Sequence, residues 1–120
     1  MGVYRGIALD NVTINSGKVG GSVSGPAPVT KTTSFTVAAS EREIVCNGGA
    51  SITVTLPTAT ACAGRSIRIR TIAAFTVVSA TSNVVPLIGG SAGTAILAAT
   101  AGKWAELVSD GTNWLIQAAA

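Results

Sequence analysis

Between Thr32 and Ile116, apolar residues repeatedly fall on alternate positions, and turn residues interrupt the runs about every 8–12 positions. A chain patterned this way buries one face of each short segment, which is how a strand behaves. Ile52, Val54 and Leu56 alternate with Ser51, Thr53 and Thr55. Pro57 ends that run, because proline has no N–H to give to a ladder. Thr33, Phe35 and Val37 share one face of an earlier strand. Ile44-Val45-Cys46 follows the charged turn Glu41-Arg42-Glu43 and precedes the turn Asn47-Gly48-Gly49. Ile67 and Ile69 alternate with Ser66, Arg68 and Arg70, and Phe75, Val77 and Val78 come next. Val84 to Ile88 is a weaker strand, interrupted by Pro86 and closed by Gly89-Gly90; Thr94 to Leu97 is another. Trp104 to Ile116 reads as a β-hairpin around Asp110-Gly111, residues that tolerate the positive φ of a tight turn. Helical periodicity is absent apart from a single turn that the Ala-rich Ile96–Ala101 stretch has room for. The pattern predicts an all-β chain: a small antiparallel β-sandwich or barrel-like domain over residues 32–120.

Residues 1–31 differ. Gly, Ser, Asn and Pro dominate, and the apolar residues Val12, Ile14, Val19 and Val23 stand alone. This predicts an extended N-terminal arm. Val12 and Ile14 alternate with Thr13 and Asn15, so a short strand formed against a partner is one reading, with those four residues as partner-binding candidates. A chain end without fixed structure is the other.

Composition bears on assembly. Charged residues are only 11% of the chain, against the ~25% usual for soluble domains. The deficit points to surface buried between subunits; a monomer coated with Thr, Ser and Asn is the alternative. Aromatics are 4%, so the core rests on Ala, Val and Ile, and a partner chain would add to it. The net charge of +3 is too small to support nucleic-acid binding strongly. Cys46 and Cys62, the two cysteines, read as reduced thiols, with a disulfide between them as the alternative. No run reaches the ~18 apolar residues of a membrane span, and the first residues lack the apolar core of a secretion signal.

Catalytic chemistry finds no foothold. The chain has no histidine, which removes the commonest general base and metal ligand. Among the carboxylates Asp10, Glu41, Glu43, Glu106 and Asp110, Glu41 and Glu43 have the spacing to share a strand face, but Arg42 and the turn context make them solvated charges, not the facing pair a glycosidase needs. Two cysteines without histidine do not make a structural zinc site. The Gly-rich stretches lack the Gly-Lys-Ser/Thr of a phosphate loop. The expectation is no catalytic residue, no metal and no cofactor.

Arg68 and Arg70 share one strand face, with Arg65 just before. They read either as a basic ridge for an acidic partner or as a solvated face that discourages edge-to-edge pairing. At a subunit seam the ridge would meet Glu41, Glu43 or Glu106 of a neighbour. Trp104 and Trp114 sit on neighbouring strands and read as core or subunit-interface anchors, because each can bury ~200 Å². Exposed, they would stack on sugars.

Phe35-Thr36-Val37, Ile52-Thr53-Val54-Thr55-Leu56-Pro57, Gly64-Arg65 opening a strand, Gly89-Gly90 and the closing Val108-Ser109-Asp110-Gly111-Thr112-Asn113-Trp114 follow one another in order. From Phe35 to Ile116 this order resembles a small β-module of tailed-bacteriophage virion proteins. The resemblance implies a β-sandwich-like unit that assembles as a homotrimer and serves a structural or attachment role. With a short arm and no shaft repeats, the expectation is a capsid decoration (cement) protein. Made in the bacterial host cytoplasm, it would sit on the capsid surface of the virion and bind the major capsid protein. The alternative is a tail or head fibre module that attaches to a host glycan.

Overall fold

The computed structural model describes residues 25–120. Among these the chain is all-β, with ten strands in two sheets and one 3₁₀ turn at Ala59–Ala61. The first six strands alternate between the sheets. In the larger sheet β1 (Val29–Lys31), β3 (Glu43–Cys46) and β5 (Ser66–Thr71) lie side by side and parallel. In the smaller sheet β2 (Phe35–Thr36), β4 (Ile52–Thr55) and β6 (Val77–Ser79) do the same. The chain therefore winds, each circuit adding one strand to each sheet.

The winding then ends. β7 (Val84–Val85) and β8 (Ala95–Leu97) fall at one edge of the larger and smaller sheet respectively. β9 (Trp104–Ser109) runs antiparallel to β5, and β10 (Trp114–Ala119) runs antiparallel to β9 and parallel to β7. The larger sheet has the order β1-β3-β5-β9-β10-β7 and the smaller one β2-β4-β6-β8.

This corrects the antiparallel expectation. Five of the eight ladders are parallel. Parallel neighbours need a crossover of about a dozen residues or more, and passage through the opposite sheet supplies it for each circuit after the first. Val29–Lys31, grouped with the arm by composition, pair with Ile44–Cys46 and belong to the larger sheet. Val84 to Ile88 shortens to two paired residues, because Pro86 cannot extend the ladder. The Ile96–Ala101 stretch forms no helical turn; Ile96 and Leu97 are buried in β8 instead.

One core joins the inner faces of both sheets. Ile44, Cys46, Ile67, Ile69, Ala105 and Leu107 come from the larger sheet, and Ile52, Val54 and Val77 from the smaller. These are the inward members of the alternating runs. At roughly 25 cal/mol per Å² of apolar area, such side chains supply most of the stabilisation.

The hairpin is tied to this core at two points. Trp114 is fully buried, and its indole Nε1–H donates to the Pro57 carbonyl at 2.9 Å. The Ser109 hydroxyl donates to the Ala59 carbonyl at 2.7 Å. Both bonds satisfy buried polar groups at the segment where Pro57 has stopped β4. The turn itself sits one residue later than the Asp-Gly reading places it. Asp110 and Asn113 face each other across Gly111-Thr112, with Gly111 at φ +90°. Glycine adopts that angle without a Cβ penalty. The Asp110 carboxylate accepts the N–H groups of Asn113 at 2.7 Å and Thr112 at 2.8 Å, which hold its pKa below the ordinary aspartate value.

Candidate functional site

Among the described residues, no group of three or more His, Cys, Asp or Glu side chains lies close enough to hold a metal ion. No described helix is long and apolar enough to cross a membrane. The chemistry-bearing side chains gather instead on the outer face of the larger sheet, where strand alternation aims them away from the core.

Two rows cross that face. In the first, Glu43 on β3, Arg68 on β5 and Glu106 on β9 occupy register-matched positions. Arg68 Nη2 donates to Glu106 Oε2 at 3.1 Å, and Nη1 lies 3.8 Å from Glu43 Oε1. The Glu106 hydrogen bond, then the Glu43 charge, raise the Arg68 pKa further above its ordinary value. In the second row Val45, Arg70 and Trp104 are register-matched. Arg70 has no ion pair among the described residues. Pro28, just before β1, closes one side of a groove of about 480 Å³ that also takes in Glu43, Val45, Arg68, Arg70 and Trp104. A second groove of about 360 Å³ lies elsewhere, lined by Thr55, Thr58, Thr81, Asn83 and Thr112 with no charged or aromatic side chain.

The structure sorts the expected site residues. Arg68 and Arg70 do share a face. The two tryptophans part: Trp114 is core, while Trp104 is half-buried on the outer face. Strand parity carried that signal, since Trp104 is in phase with Glu106 and out of phase with Ala105 and Leu107. Arg65 leaves the ridge; its Nη2 donates to the carbonyls of Ala38 and Glu41, each at 2.8 Å, and pins the β2–β3 connection. The carboxylates expected to meet a neighbouring subunit's arginines are engaged within the chain: Glu43 and Glu106 with Arg68, and Glu41 with Lys31. Val12, Ile14, Val19 and Val23 lie outside the described residues.

Glu41 departs furthest from its sequence reading as a solvated charge. It is 9% exposed. Its carboxylate accepts the Ala38 N–H at 2.8 Å and pairs with Lys31 Nζ at 2.7 Å, and these bonds hold its pKa below the ordinary value. Lys31 also sits over the Phe35 ring, 5.2 Å from its centroid.

Both cysteines are free. Cys46 is fully buried in β3, and desolvation pushes its thiol pKa up to about 11. Cys62 is half-buried and its Sγ lies 3.3 Å from the Thr58 carbonyl.

Comparison with known protein families, with curated proteins and with solved structures gives no match to this chain.

Proposed function

We propose that this chain is a structural virion protein, a decoration module that docks on a bacteriophage head as a homotrimer. The observation that carries the reading is the β7–β8 connection. Leu87 is 54% exposed and Ile88 97% exposed at its tip, next to Gly89-Gly90. Both glycines have positive φ, so the backbone itself is shaped to present that tip. Ile72 and Phe75, in the β5–β6 connection, are also exposed large apolar residues. In a chain with 11% charged residues, such side chains call for a covering surface.

The ordered motifs of the resemblance lend further support. The Thr55-Leu56-Pro57 segment and the closing Trp114 are joined by the indole bond to Pro57. The motif positions are thus working parts of one fold. Docking, in this reading, is the whole activity: the β-domain supplies subunit contacts, the arm ahead of β1 reaches onto the capsid, and several capsid subunits are held together against internal pressure.

The test is solution mass by size-exclusion chromatography with light scattering, followed by co-sedimentation with undecorated heads of the virus that carries the coding sequence. A trimer that saturates the heads is the expected result. Leu87→Ser/Ile88→Ser should weaken subunit or head contacts without unfolding the domain. A monomer that leaves heads unbound at micromolar concentration would overturn the reading.

A further inference from the structure

We infer that the outer-face groove receives an acidic, extended segment of a protein partner, with one carboxylate on Arg70 and an adjacent apolar side chain against Trp104. This deepens the docking function proposed above and rests on it.

The charge pattern selects the ligand. Arg68 is flanked by two carboxylates and has little charge left to offer. Arg70, one row away on the same strand, is exposed and meets Val45 and Trp104 across its neighbours instead of a carboxylate. Arginine and tryptophan, register-matched here on one groove wall, are among the residue types enriched at protein interfaces, because both combine apolar area with directed hydrogen bonding.

The same lining weighs against other ligands. A sugar would bring several hydroxyls into a groove whose outward side chains are Pro28, Val45, Trp104 and three charges. Glu43 and Arg68 already face each other, which leaves Arg70 to serve several hydroxyls, and burying a hydroxyl without a partner is costly. Nucleic acid would bring phosphates against Glu43 and Glu106, whereas affinity for a phosphate backbone needs several cations in line. A single carboxylate with apolar flanks meets neither obstacle. The groove crosses β1, β3, β5 and β9, three strand spacings or roughly 14 Å, the reach of about four residues of extended chain.

The experiment uses the full-length protein and a fluorescein-labelled heptapeptide, Gly-Leu-Glu-Leu-Asp-Leu-Gly, read by anisotropy at low salt. Its amide counterpart, with Gln and Asn replacing the acids, is the control. The acidic peptide should bind at least tenfold more tightly than the amide. Arg70→Glu should abolish that preference, with Arg70→Gln intermediate. Glu43→Gln, which frees charge on Arg68, should tighten acidic-peptide binding severalfold, a change in the opposite sense that no loss of folding produces. Equal binding of the two peptides, or an Arg70→Glu protein that keeps the preference, overturns the inference. So does tighter Arg70-dependent binding of polygalacturonate or of a DNA duplex. Head binding separates the two levels: heads bound equally by Arg70→Glu sink the groove and leave the docking function, while Arg70-dependent peptide binding without head binding does the reverse.

Discussion

Replacing Trp114 by phenylalanine tests whether the closing hairpin is pinned by its indole bond. Phenylalanine keeps most of the buried ring but has no N–H, so the Pro57 carbonyl loses the donor now 2.9 Å away. Removing one partner of a buried hydrogen bond costs about 1–2 kcal/mol. The smaller ring leaves roughly 40 Å³ unfilled, which at ~24 cal/mol per Å³ adds about 1 kcal/mol. The sum is about 2–3 kcal/mol, or a midpoint fall of roughly 10–20 °C for a domain of this size. Urea denaturation and thermal melts followed by circular dichroism would measure it. Trp104→Phe, at a half-buried outer-face site, should cost under ~1 kcal/mol and serves as the control. Ser109→Ala removes the second tie, to Ala59, and the double variant should be less destabilised than the two losses added, because both ties hold one short segment. A Trp114→Phe protein within about 0.5 kcal/mol of wild type would refute the pinning argument.

Glu41 makes stability pH-dependent. Its folded pKa is depressed, so its contribution is present above the ordinary carboxylate range and is lost as pH falls through the folded value. Glu41→Gln should cost about 1–2 kcal/mol at pH 7 and flatten the decline in melting temperature below about pH 4; an unchanged acid limb would contradict the role given to the Lys31 and Ala38 contacts. Cys46 should resist iodoacetamide in the folded protein while Cys62 is alkylated first; mass spectrometry of the singly labelled product checks this, since a buried thiol with a pKa of about 11 offers almost no thiolate at pH 8. Gly48→Ala would place a Cβ 2.9 Å from the Thr32 carbonyl oxygen and 3.1 Å from Ile52 Cδ1. Because the first contact is with backbone, a loss of about 1–3 kcal/mol is expected in denaturant titration.

Parity was legible in the sequence; partnership was not. The alternation of Ile52 with Thr53 and of Ile67 with Arg68 showed which side chains turn inward, since a strand's period of two is a local property. Which strand lies beside which depends on contacts far apart in the chain. Nothing within the β3 segment announces that its neighbours are β1 and β5, both parallel to it. The same limit explains the site. Arg68 and Arg70 could be placed on one face by spacing alone. That Glu43 and Glu106 flank Arg68 and spare Arg70 follows from the registers of two other strands. Glu41 looked solvated because its sequence neighbours are charged. It is buried because Lys31, from a strand beyond the connection, and the Ala38 N–H turn towards it.

The winding of the first six strands has a mechanical consequence. Among the described residues β1 and β2 each lie at a sheet edge, with ladder partners on one side only, whereas β9 is gripped between β5 and β10. Tension entering from the N-terminal side would act on three residue pairs of β1, then two of β2, and peel the circuits away in sequence at low force. Tension applied between β5 and β9 would have to shear five residue pairs at once. A molecule built this way yields gradually when tugged by its leading end, yet keeps its hairpin-locked half intact.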